Sequence, residues 1–148
     1  MKDEWKEKLE EFFEDRNRGL SYTRDHAREF FETTVSNAFE ALKNELQKYG
    51  HNITTNSTLT SESLWVFTGG DEFAYSIDAE VYPDRVKVFA QASTAGRHAL
   101  NNEREQYVGL ADITEEEIIE DFLEHYFPYM QDLSVKDWRS KHRLSQTA

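Results

Sequence analysis

The sequence contains no cysteine, which excludes disulfides, thiolate metal sites and thiol nucleophiles together. Proline, abundant in disordered chains, occurs only twice among 148 residues. No apolar run approaches the roughly 20 residues that span a bilayer, and no apolar signal core follows Met1-Lys2-Asp3-Glu4-Trp5-Lys6. The expected address is the cytoplasm, away from membranes. The acceptor patterns at Asn52 and Asn56 would then stay unglycosylated.

Positive charge is also scarce, with 17 Lys and Arg against 29 Asp and Glu and a net charge of −12. Sequence-independent nucleic-acid affinity comes from Lys and Arg displacing counterions, so no direct binding to nucleic acid is expected. The imbalance is uneven. Residues 103–133 hold ten acids and one base, whereas residues 134–148 hold four bases and one acid. The chain therefore divides into a single domain, 1–133, and a basic C-terminal tail, 134–148.

Catalytic signatures are missing as well. The sequence has no P-loop, dinucleotide fingerprint, nucleophile elbow or two-histidine zinc helix. Its five histidines, at 26, 51, 98, 125 and 142, match no metal-ligand spacing, so neither a metal nor a cofactor is expected. Asp121 and His125 stand four apart on one helix. That spacing could offer two ligands to a cation, but it is the ordinary arrangement of a helix-ending histidine beside a carboxylate.

What is present is enough for a packed core. Hydrophobic residues make up 38% of the chain and aromatics 14%, and a chain this long buries roughly 70% of its unfolded surface. Trp5, Leu9, Phe12 and Phe13 recur at helical spacing, predicting a first helix from about Asp3 to Arg18 that Gly19 stops. A second helix is expected from Ser21 or Thr23 to Tyr49, with Gly50 beyond it. Its buried stripe would be Ala27, Phe30, Phe31, Val35, Ala38, Leu42, Leu46 and Tyr49, with Phe39 off that stripe, toward the first helix.

The period then changes from 3.6 to 2. Phe73, Tyr75, Ile77, Ala79 and Val81 alternate with polar residues between Glu72 and Tyr82, and Val86, Val88, Ala90 and Ala92 do so between Arg85 and Ser93. Pro83-Asp84 suits a tight turn between the two strands. A two-residue loop makes paired numbers sum to 167, which puts both apolar sets on one face and Glu80 opposite Lys87 on the other. Leu64–Thr68 is a preceding strand with apolar residues on both faces. Residues 53–60 form an edge strand or a loop, and residues 106–111 form a last strand. Thr114 and Glu117 make a capping box opening a third helix, which Pro128 ends or kinks. The predicted class is α+β: two N-terminal helices, an antiparallel meander of four to five strands, one C-terminal helix and the tail.

Two functional readings follow. In the first the chain is a non-enzymatic, acidic protein-binding module: a regulator, inhibitor, immunity protein or chaperone-like adaptor with a basic protein partner. The binding residues would be an aromatic sheet face of Trp65, Phe67 and Phe89 and an acidic helix carrying Glu116, Glu117, Glu120, Asp121 and Glu124. In the second it binds a small ligand, or is a modest enzyme, through a pocket between the second helix and the sheet, with Thr94, Arg97 and His98 at its rim. A homodimer is possible through Trp138 and the tail cations Lys136, Arg139, Lys141 and Arg143 docking on the acidic third helix.

Overall fold

A computed structural model describes residues 3–68, 71–94, 100–107 and 110–132, with the side chains of 100–107 and 111 excepted. The tail 134–148, Arg97 and His98 lie outside the described residues. The element order is α1 Glu4–Glu29, a π-helical turn Phe30–Val35, α2 Ser36–Gln47, strands β1 Asn52–Ser57, β2 Ser61–Thr68, β3 Asp71–Val81, β4 Arg85–Thr94 and β5 Leu100–Tyr107, a 3₁₀ turn Leu110–Asp112, and α3 Glu115–Asp132. The chain is α+β, with the two N-terminal helices joined into one long helical run.

Gly19 does not stop the first helix, and the reason is steric. A Cβ built there would stand 2.4 Å from the Pro83 carbonyl oxygen, so glycine lets α1 pass against the β3–β4 turn. One turn on, the Thr23 hydroxyl donates to the Tyr82 carbonyl at 2.6 Å. The actual punctuation is the π-helical turn, whose wider winding carries one extra residue and rotates the buried face downstream. Phe39 therefore points inward, 1% exposed with its ring edge-on to Tyr75, while Tyr49 is 75% exposed. Both reverse the expectation from a single uninterrupted stripe. Gly50, at φ +83°, does terminate the second helix.

The sheet is a five-stranded antiparallel meander in chain order. Val81 pairs with Val86, Ile77 with Ala90 and Glu80 with Lys87, the register that alternation predicts. Thr68 pairs with Asp71, which leaves a two-residue link and turns Leu64 and Val66 to the core. The outer strands are polar, NITTNS and LNNEREQY, which blunts both sheet edges. β5 begins at Leu100 rather than Gln106. Eight of its residues pair with β4 although their sequence has no apolar alternation; backbone pairing recruits them.

α3 opens as the capping box requires. The Glu117 N–H donates to Thr114 Oγ1 at 3.1 Å, and the Thr114 N–H donates to Glu117 Oε1 at 3.3 Å. Pro128 lies inside the helix, which continues to Asp132. Phe122, Tyr126 and Tyr129 pack on Phe73, closing an aromatic core between α3 and the sheet. Asn37 reaches Glu115 and His51 reaches Tyr126, so α2 and α3 run side by side in the same direction.

Candidate functional site

Two helices on one sheet face meet along only part of their sides. α2 buries Leu42 and Leu46 and leaves Ala41 and Glu45 on its flank toward α3, with Tyr49 just beyond its end. On α3, Phe122 and Tyr126 go to the core, while Ile119, Leu123, Phe127 and Met130 occupy the flank toward α2. Between these flanks runs an apolar groove of about 700 Å³. The neighbouring positions of α3 are acidic: Glu115, Glu116, Glu120 and Glu124 are all exposed.

A polar pair closes one end of the groove. Tyr126 Oη and His51 Nε2 are 2.6 Å apart. Burial, with Tyr129 nearby, pushes the Tyr126 phenol up to about 12, and burial pulls His51 below its ordinary 6.5. At neutral pH both groups are uncharged, with the phenol donating to the imidazole nitrogen. The groove thus presents an apolar floor, one neutral hydrogen-bonded pair and the Glu45 carboxylate, with further carboxylates exposed along α3.

The residues expected to form a binding face are distributed differently. Glu116, Glu120 and Glu124 share the exposed side of α3, and Glu117 is half-buried in its capping role. Asp121 leaves the acidic surface: it is 5% exposed and accepts a 2.5 Å hydrogen bond from the Tyr75 hydroxyl. His125 Nδ1 bonds the Asp121 main-chain carbonyl at 2.8 Å rather than its carboxylate, so these two residues do not form a ligand pair. Among the described residues no group of three His, Asp or Glu could hold a metal ion.

Trp65 and Phe67 are half-buried on the sheet face opposite the helices, as is Phe89. They do not form one patch. Trp65 pairs with Ala74, whereas Phe89 pairs with Asp78, whose β2 partner is Ser61, four residues from Trp65. That offset is roughly 13 Å along the strand. Thr94 ends β4 opposite Phe73, with its hydroxyl buried and unbonded among the described residues. The space between α2 and the sheet is filled by core side chains, and the sizeable opening lies between α2 and α3 instead.

The groove was the feature sequence reasoning missed. Its signal lies in the apolar arc of α3, where Ile119, Leu123, Phe127 and Met130 widen the face set by Ile118, Phe122, Tyr126 and Tyr129 beyond what one core contact needs. No helix among the described residues is long and apolar enough to cross a membrane. The chain matches no family model, no curated protein and no solved structure.

Proposed function

We propose that this chain is a non-enzymatic protein-binding module that receives a basic amphipathic segment of a protein partner in the groove between α2 and α3. The observation that carries this reading is the apolar groove, with Glu45 in its lining and the exposed carboxylates Glu116, Glu120 and Glu124 on the helix that forms its α3 wall. An amphipathic helix laid in such a groove buries its apolar side chains on Leu123, Phe127 and Met130 and sets its cations among the carboxylates. The apolar contact supplies affinity, while the charges steer encounter and select the partner's sign.

The test uses two labelled peptides with the same apolar face, one flanked by lysines and one by glutamates, titrated by fluorescence anisotropy. The lysine peptide should bind, more weakly as salt rises, and the glutamate peptide should not. Ala41 is exposed on the groove wall, so Ala41→Arg should fill and charge the groove without disturbing the core. Equal binding of both peptides, or binding that survives Ala41→Arg, defeats the reading.

A second reading has its own support, since about 700 Å³ also suits a small apolar ligand that the Tyr126–His51 pair could orient. An environment-sensitive apolar dye that binds stoichiometrically, while neither peptide does, would favour it.

A further inference from the structure

The first turns of α1 stand apart from the core. Of its 26 residues only Thr23 and Ala27 are buried. Upstream, Trp5 is 58% exposed, Leu9 48%, Phe12 60% and Phe13 51%. These four continue the buried face of the same helix, since Leu9 lies 18 residues before Ala27, which is five full turns. The face that packs against the β3–β4 turn therefore runs on beyond Gly19 with no described element under it. A segment of roughly 15 residues is marginal as a helix in water on its own, so burying this face would stabilise the helix itself.

We propose that Glu4–Arg18 is the surface through which two copies of this chain associate, as an antiparallel two-helix seam. The arrangement of side chains selects a second copy and its direction. Trp5, Leu9 and Phe12 form the apolar seam, and Arg16, four residues after Phe12, ends it with a cation. Antiparallel pairing sets Arg16 of each copy over the Trp5 ring of the other, a cation–π contact that replaces the exposed Lys6, now 5.5 Å from that ring in its own helix, and packs Leu9 against Phe12. On one flank it brings Lys8 alongside Asp15 of the other copy. Parallel pairing would instead stack Arg16 on Arg16 and leave Lys8 without a carboxylate. Asp15 is bonded to Arg18 within its own helix, but that pair is exposed, and exposed pairs are worth little and exchange readily.

The α2–α3 groove of a second copy is a poorer seat for this helix. Residues 3–18 carry seven acids against four bases, so the carboxylates of α3 would repel them without the Arg16–Trp5 and Lys8–Asp15 contacts that offset the same repulsion in the seam. A seam about 22 Å long is small beside a standard interface of roughly 1,600 Å², so the dimer should be weak and form as concentration rises.

The absence of cysteine makes cross-linking a clean test. Full-length chains carrying Lys8→Cys or Asp15→Cys are oxidised separately and as a mixture, and the mass of the unmodified chain is followed by sedimentation over a concentration series. The mass should double at high concentration, and the mixture should yield the Lys8→Cys/Asp15→Cys disulfide while neither variant links efficiently to itself. Phe12→Glu, at an exposed helical position, should hold the chain at monomer mass with unchanged thermal stability at low concentration. A monomer at every concentration, a dimer that survives Phe12→Glu, or Lys8→Cys linking to itself in preference overturns the proposal. None of these outcomes depends on the α2–α3 groove.

Discussion

The Ser36 hydroxyl lies 2.9 Å from Glu62 Oε1 and 2.8 Å from the Phe31 carbonyl oxygen. Its single proton cannot serve both acceptors. If Glu62 is protonated the conflict disappears, because the carboxyl donates to Ser36 while Ser36 donates to Phe31 and ties down the π-helical turn. Glu62 is 7% exposed, and its Oε2 makes no hydrogen bond among the described residues. Burial pushes its carboxyl above the ordinary 4.5, against the opposing effect of the Ser36 bond.

A raised carboxyl favours the folded state fully below pH 4.5, and that contribution is lost as pH rises through the folded value. Glu62→Gln should therefore stabilise the protein at pH 7 by on the order of 1 kcal/mol, because its amide can donate to Ser36 and never ionises in the buried site. Urea denaturation of both chains checks this. The gain should be present at pH 7 and shrink toward zero below pH 4.5.

His51 acts in the opposite direction along the pH scale. Its folded value is depressed, so the unfolded chain binds the proton more readily. The stability it contributes is present above pH 6.5 and is lost as pH falls through the folded value. His51→Gln should flatten the stability profile between neutral pH and mild acid. An imidazole titration followed by NMR that gives an undepressed value would contradict this assignment.

Gly19→Ala sets two effects against each other. Alanine gains about 1 kcal/mol of helix propensity over glycine, but its Cβ would meet the Pro83 carbonyl oxygen at 2.4 Å. That contact is with backbone and cannot be relieved by a rotamer change, so overpacking of about 1–3 kcal/mol should prevail. Thermal unfolding should show net destabilisation. A more stable Gly19→Ala chain would mean that α1 does not pass this close to the hairpin.

Tyr75→Phe removes the hydroxyl that donates to the buried Asp121 carboxylate. Losing a donor to a buried acceptor should cost about 1–3 kcal/mol, with α3 packing loosened around Phe122. Denaturant midpoints measure the loss. Amide exchange on α3 should locate it.

Several elements were readable in the sequence because short-range physics dictates them. Period-2 alternation rules out a one-residue slip, and the two-residue Pro83-Asp84 turn then selects the register that pairs Ile77 with Ala90 and Glu80 with Lys87. Thr114 and Glu117 cap α3 through bonds that need only three residues of spacing. The acidic side of α3 was likewise apparent for Glu116, Glu120 and Glu124.

Other features depend on where distant segments come to rest. Gly19 has the chemistry of a helix stop, yet Pro83, 64 positions away, makes it a point of close approach. The π-helical turn shifts the helical phase by one residue, sending Phe39 into the core, and no local pattern announces it. β5 has no alternation and exists because β4 offers it a backbone ladder. Asp121 belongs by spacing to an acidic face, but the depth of Tyr75 draws it inward. Periodicity thus determined the elements and the paired register of this chain, while the tertiary structure alone decided which apolar flanks found cover. Those of α2 and α3 did not fully close on each other, and the first turns of α1 run past the hairpin that would have covered them.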